Sequence, residues 1–412
     1  MKIWILSEGE PLPSDEGNVR LRRMGMLTDK LSKKGNEVHW FSSAFHHYKK
    51  QHRSTRDKCV EINNNLYIHL LKTEGYKNNV SVSRIKHHRK IAKKFLMIAE
   101  KLKKPDVILA TMAPLEFSEA AVEYGKKNNI PVVIDIRDLW PAIYEEVLPG
   151  TLRPFIRPYV KYMERKLRRT ILDSYSIVGV TPAFMNYGLR TANIHKREYD
   201  RVFHTSYKPR EISSYKLQFN NVWSDYDLKD SDFIITFLGN FGKQFELDPI
   251  FEAAKNLEFN KKIKFVLCGN GENYEKYKKL ASNYSNIIMP GWIEEERILT
   301  LLSATDIGVA PYRDSRNFRE NTPNKFGEYL SASLPILVGV DGIMNDLITE
   351  YDCGFYYQNS KQLEECINKL FLNKNMTKEM SANAYKLYNA RFNADKVYNE
   401  FANYLEKIAT RK

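Results

Sequence analysis

Two kinds of segment alternate along the chain. Short unbroken apolar runs, such as "KIWIL", "VILA" and "VVIDI", are followed by stretches whose apolar residues recur every three or four positions. The runs are not alternately apolar and polar. Both faces of each are therefore expected to be buried, as in a parallel sheet covered by helices on both sides. "KIWILSE" is the first strand. A loop with Pro and Gly, "GEPLPSDEGN", leads to a helical stretch, "VRLRRMGMLTDKLSKKG", which Gly35 stops, and then to the strand "EVHWFSS". This β–loop–α–β grammar continues through "PDVILAT", a helix near 115–128, "IPVVIDIRD" and, after a long basic stretch, "SYSIVGVTPAF". It breaks over about 204–230 and then restarts. "DFIITFLGNFG", "IKFVLCGNG", "NIIMPGW", "DIGVAPY" and "LPILVG" are its strands, with helices such as "DPIFEAAKNL" and "EERILTLLSAT" between them.

The pattern predicts an α/β chain of two Rossmann-like, doubly wound domains. Residues 1–205 form the first and 206–394 the second, with a helix at 395–412 packing back on the first. Open sheets of this kind bind ligands outside the carboxyl ends of their strands, so the two domains are expected to face each other across a cleft. The loops to watch are 8–18, 135–141, 239–243, 269–272, 291–293 and 311–325.

Composition adds three constraints. With 412 residues, 43% hydrophobic and 28% charged, the chain can bury sizeable cores. No apolar run approaches the roughly 20 residues of a membrane span, and "MKIWILSEGE" lacks the apolar core of a signal peptide. Cys59, Cys268, Cys353 and Cys366 are scattered, without a CxxC pair, and are expected to be free thiols in a reducing cytoplasm. The net charge of +14 divides unevenly, about +17 over residues 1–210 and about −3 over 211–412. A basic first half implies an anionic partner.

The stretch "FRENTPNKFGEYLSASLPILVG" (318–339) places one glutamate, Glu320, before a Thr-Pro and another, Glu328, after it. Thr322 and Pro323 read as a helix start, with Thr capping and Pro at the first helical position. The free N–H groups there suit a phosphate, and Lys325 adds a full charge. Glu328, about one and a half turns in, is placed to take both hydroxyls of a ribose. Glu320, in the loop, is placed to meet the far end of a nucleotide-linked ligand. The competing reading of Glu320 is a loop charge paired with Arg316 or Arg319.

Glu320 and Glu328 also fit the E-x7-E pattern, and "TPNKFGEYLSASLPIL" resembles the PNK-x-x-E-Y variant, of retaining glycosyltransferases of family 4 with the two-domain GT-B fold. That variant occurs in bacterial capsule and O-antigen enzymes, including N-acetylfucosamine transferases. "DIRDLWP", "FLGNFGKQFELDPIFEA" and "NIIMPGWIEEERILTLLSATDIGVAPY" resemble further segments of the same group, so the resemblance runs along most of the chain. It implies a donor nucleotide held by the second domain. Gly291, Trp292 and Ile293 would frame the base, expected to be uracil, and Glu328 the ribose. Asn324, Lys325, Asn240 and Lys243 would face the diphosphate. Glu320 and Asp138 are the candidate catalytic residues, Arg137 lies near the donor sugar, and Gly17 marks where acceptor or phosphate approaches. Two departures stand out. The diphosphate clamp, an Arg and a Lys five apart in relatives, reads here as Asn240 and Phe245. The usual first-domain His reads as Arg137.

The expected donor is therefore a UDP-linked sugar, with an N-acetylated amino sugar among the candidates, and the expected acceptor is a lipid-linked sugar. No cofactor is expected, and no metal, because no DxD or His/Cys ligand spacing occurs. Two basic stretches, 84–104 and 152–172, combine apolar and basic residues at helical spacing. They are expected to hold a cytoplasmic protein on the anionic inner face of the cell membrane. Two other readings compete. A nucleotide-sugar epimerase of the same fold would need histidines in the cleft, whereas His46, His47, His52, His87 and His88 fall outside the loops named above. A nucleic-acid-binding protein would want aromatic residues interleaved with Lys and Arg on a recognised module, which the sequence lacks, so no nucleic acid is expected as a partner.

Overall fold

A computed structural model describes residues 1–17, 19–79, 81–144, 150–209 and 212–411. Asn18 at the end of the first candidate loop, Arg210 and Glu211 in the 204–230 break, and Lys412 lie outside them. The chain divides into two compact units, residues 1–204 with 396–412, and residues 205–395.

The first unit contains β1 (Lys2–Leu6), β2 (Glu37–Ser43), β3 (Phe45–His46), β4 (Gln51–His52), β5 (Lys58–Asn63), β6 (Leu66–Leu71), β7 (Val107–Thr111), β8 (Val132–Ile136), β9 (Ser176–Gly179) and β10 (Arg201–Val202). Its main sheet runs β10-β9-β8-β7-β1-β2-β6-β5, and only the β5–β6 pair is antiparallel. The central strands are wholly buried, as their unbroken apolar runs require. Trp4 on β1 meets Phe41 at 5.2 Å, edge to face, and Tyr124 at 5.3 Å, stacked. The helix Ala394–Ala409 completes this unit. Phe401 stacks on Phe203 at 4.3 Å, Tyr404 and Ser176 share a 2.7 Å hydroxyl contact, and Glu406 binds Lys34 and Asn36.

The second unit has six parallel strands, β11 (Phe233–Leu238), β12 (Ile263–Cys268), β13 (Ile287–Gly291), β14 (Ile307–Ala310), β15 (Ile336–Val338) and β16 (Gly354–Tyr356). Their order is β13-β12-β11-β14-β15-β16. Trp223 is fully buried against the sheet's helices, with its indole N–H donating to Thr300 at 3.1 Å. The two ends of the unit meet, because Tyr207 N donates to Phe392 O and Ala394 N to Tyr207 O, both at 2.9 Å.

Parallel sheets with helices between successive strands bear out the doubly wound α/β reading, and the structure adds detail to it. The hairpin β5–β6 was not anticipated. Its outer strand is the sheet's edge, largely exposed, and carries too few apolar residues to read as a core strand. The short β10 and β16 were also missed. Helix Asn324–Ser331 begins one residue later than expected. Pro323 is extended and stands at its cap, while the Thr322 hydroxyl is buried without a hydrogen bond. Cys59, Cys268, Cys353 and Cys366 are free thiols.

Candidate functional site

In both units the strand order reverses at one point, between β1 and β7 and between β11 and β14. Crevices of open α/β sheets form at such points. In the second unit, the loops after β11 and β14 flank helix Asn324–Ser331. Tyr329, fully buried, ties that helix to β11. Its hydroxyl accepts from Leu238 N at 3.0 Å and donates to Thr236 O at 3.3 Å. Tyr207 donates to Asn324 Oδ1 at 2.7 Å, and its ring fills the space beside Gly327, where a Cβ would come within 2.2 Å.

The helix start is thereby fixed, and Lys325 is laid across the end of β11. A Cβ on Gly239 would fall 2.3 Å from its Nζ, so a side chain there would push the lysine's end aside. The ammonium lies 4.6 Å from the ring centre of Phe245 and 5.4 Å from that of Phe237. The Phe245 ring thus supports the ammonium of Lys325. Loss of hydration pushes the Lys325 pKa down to about 8, opposed by Glu328. Among the described residues Lys325 has no ion pair and no hydrogen bond. A desolvated ammonium at a helix start is built to meet an anion.

Glu328 is half-buried on the same helix, and its charge bears on Lys325, Tyr312 and Tyr329. The other predicted residues are placed as follows. Glu320 caps the short helix Arg316–Arg319 and accepts from Arg316 Nε at 3.0 Å, so the competing ion pair forms. Lys243 is exposed and lies 3.9 Å from Glu272, directed to the neighbouring loop. Asn240 is exposed and packs against Gly271, where a Cβ would lie 2.1 Å from its Oδ1. Gly291 has φ +83°, Trp292 is 69% exposed and Ile293 is buried.

In the first unit, a cavity of about 460 Å³ opens at the reversal between β1 and β7. Glu8, Gly9 and Glu10 reach it from the β1 end, and Arg137, Asp138 and Trp140 from the β8 end. Arg137 pairs with Glu10, whose other oxygen accepts from Met24 N at 3.0 Å. Behind them the buried pair Asp135 and Arg23 makes two hydrogen bonds, at 2.8 and 2.9 Å. Burial pushes the Asp138 pKa up, against the pull of Arg137, and its Oδ1 accepts from Trp140 N at 3.1 Å. Gly17, at φ +89°, is not part of the lining.

The structure corrects the placement of the histidines. His47 and His88 line this cavity. Glu8 sits between His87, at 3.0 Å, and His88, at 3.1 Å. Burial alone would raise the Glu8 pKa, but the two histidines outweigh it and hold it well below the usual carboxylate range. Burial, aided by Lys50 and Arg84, pushes His47 down to about 4. Helix Val82–Ala99 brings His87 and His88 to the β1 loop from far along the chain. The only sequence signal was a His pair on a basic helix and an acid at a strand end.

Residues 223–387 match the family described as "Glycosyl transferases group 1". The chain is 26% identical over 180 residues to an uncharacterized glycosyltransferase of Methanocaldococcus jannaschii, covering 42% of this chain and 45% of that one. The match thus spans less than half of that relative's length. Among solved structures, sucrose-phosphate synthase from Thermosynechococcus elongatus superposes with a TM-score of 0.72 at 12% identity, covering 99% of this chain and 98% of that one. Anabaena HepE in complex with UDP-glucose does so at 0.62 and 14%, covering 99% and 100%. Residues 223–387 therefore resemble a glycosyl transferases group 1 domain, in a chain with the GT-B fold.

Proposed function

We propose that the protein is a retaining glycosyltransferase of the family 4 type. It moves a sugar from a UDP-linked donor to a lipid-linked acceptor in the assembly of a bacterial capsule or O-antigen. The observation that carries this reading is the Lys325 ammonium, desolvated at a helix start with Glu328 on the same helix. The pair suits the diphosphate and ribose of one nucleotide. The UDP-glucose bound in the Anabaena HepE structure supports UDP as the carrier. In the transfer, the acceptor hydroxyl oxygen bonds to the anomeric carbon on the face the diphosphate leaves. The bond to the diphosphate breaks, and the hydroxyl proton passes to the departing oxygen. Stabilising that departing charge is the main catalytic demand, which falls on Lys325 and the helix N–H groups. The direct test is saturation-transfer binding and donor hydrolysis across a panel of nucleotide sugars. Binding of UDP-sugars above other bases is expected, and no binding of any nucleoside diphosphate would sink the reading. His47, His88 and Glu8 beside Asp138 favour one second reading, a nucleotide-sugar epimerase. Epimerised donor recovered without any acceptor would select it.

Charge neutralisation by Lys325 and helix N–H groups leads to an expected result with chelators: turnover should survive excess EDTA. Complete loss, restored by Mg²⁺ or Mn²⁺, would show that a metal carries the diphosphate charge instead.

The membrane reading changes in detail. Ile91 and Phe95 in the first basic stretch, and Met163 and Leu167 in the second, are buried in the first unit's own core and cannot insert into lipid. Helix Arg153–Asp173 still shows Phe155, 83% exposed, and a stripe of exposed cations at Arg157, Lys161, Arg165 and Arg168. No ion pair engages these four among the described residues. No helix among the described residues is long and apolar enough to cross a membrane. Each cation near an anionic bilayer contributes about 1 kcal/mol. Vesicle sedimentation should therefore rise with anionic lipid, fall with salt, and largely vanish when all four become Gln. Equal binding of that variant would remove the stripe from the membrane surface.

A further inference from the structure

The loops that follow β11 and β14 are stitched to each other. Arg313 N donates to Gln244 O at 2.9 Å and Glu246 N to Pro311 O at 2.8 Å, and between them Phe245 and Tyr312 form an isolated antiparallel bridge. The Phe245 and Tyr312 rings lie 4.8 Å apart, and Phe237, on β11, meets Phe245 edge-on at 5.1 Å. All three rings are buried. Two segments far apart in the chain thus fix the ring on which the Lys325 ammonium rests.

A buried ammonium needs something in place of its lost water. A carboxylate partner would supply it, but would also cancel the charge and repel a diphosphate. An aromatic face attracts a cation through its quadrupole and brings no net charge. The ammonium is held while its charge stays available to an anion. Among the described residues, Glu328 on the same helix is the charged group that bears on Lys325. The hydroxyls of Tyr312 and Tyr329 also lie near, and burial pushes their ionisation well above the ordinary range. Lys243, in the loop after β11, is exposed and lies 3.9 Å from Glu272.

We propose that Phe245, with Phe237, is a positioning residue for the donor diphosphate: the two rings hold Lys325 in place and in its charged form. This inference rests on the transfer reading, in which Lys325 meets the diphosphate, and gives the rings a role exerted through that lysine. A packing role would depend on the size of the Phe245 side chain. The proposed role depends on the electrons of its face.

Fluorinated phenylalanines at position 245 separate the two, because fluorine drains the ring face with little change of shape. The full chain would carry phenylalanine, 3,5-difluorophenylalanine or 3,4,5-trifluorophenylalanine there, with UDP affinity measured by calorimetry as pH rises. At about pH 7 the three forms should agree within about twofold, since the lysine is largely charged in each. The fall in affinity, which starts near pH 8 in the unmodified chain, should start earlier with each added fluorine. For the trifluoro form the shift should be about half a unit or more, leaving affinity at about pH 9 about threefold weaker or more. Phe245→Leu keeps the apolar cover without the face and should shift the same way. Trifluorophenylalanine added to Lys325→Met should change nothing. A fall at the same pH in all three forms overturns the role of the rings and leaves the transfer reading standing. So does an equal loss of affinity at every pH, the mark of packing alone. Failure of the unmodified protein to bind UDP overturns the transfer reading and, with it, the premise of this inference.

Discussion

Glu328→Ala should lower the affinity for UDP about 30- to 1,000-fold, measured by calorimetry. A carboxylate taking two ribose hydroxyls makes charge-assisted bonds, and truncating one side of such a contact costs about 2–4 kcal/mol. The helix around it should hold, because Tyr329 and Tyr207 anchor it independently of Glu328. A second readout isolates the ribose contact. The unmodified protein should prefer UDP over 2′-deoxy-UDP, and the variant should bind both alike. Glu320→Ala should instead depress turnover more than UDP affinity, since Glu320 is assigned to the sugar. Wild-type UDP affinity in Glu328→Ala would remove the central assignment.

The second large effect belongs to Lys325→Met. It should weaken UDP binding by at least about 30-fold, because an ammonium facing the diphosphate is lost. The same change should stabilise the unliganded protein. The folded pKa, about 8, lies below the ordinary 10.5, so the fold disfavours the charged lysine. Below pH 8 the lysine is charged in both folded and unfolded chains, and the penalty is present in full. Between about 8 and 10.5 the unfolded chain binds more protons, and the penalty fades as pH rises. Near pH 7 the variant should melt about 2–4 °C higher, for about 1 kcal/mol, and the gap should close by pH 10. Binding runs the other way. UDP affinity of the unmodified protein should be flat below pH 8 and fall above it as the ammonium is lost, while Lys325→Met shows no such step. A variant that binds UDP normally, or melts lower at pH 7, would contradict this account of the site.

The fold was legible where burial is complete. Unbroken runs such as "VILA" and "FIITFL" are strands because both faces need cover, and they appear as β7 and β11. It was least legible at edges, where β5 shows water its outer side. The second unit's candidate site was legible because it is local: Asn324, Lys325 and Glu328 share one short helix, and spacing alone sets their relation. What supports them was not. That Lys325 rests on Phe245 and crosses Gly239 depends on contacts between distant segments. The first unit's cavity is wholly of that second kind. Glu8 meets His87 across 79 positions and Arg23 meets Asp135 across 112, and no pattern within a helix or strand carries such distances.

The order of assembly follows from the course of the chain. Residues 396–411 belong to the unit that begins at Met1, yet they are translated after all of residues 205–395. Domains usually mature on the ribosome in the order they are made. Here that order is inverted. The nascent first unit waits with Phe203, Ser176 and Lys34 uncovered until Phe401, Tyr404 and Glu406 emerge, while the later-made unit, its ends closed by Tyr207, can finish first. A chain that stops just after residue 395 would therefore carry a complete second unit joined to a first unit that lacks its closing helix.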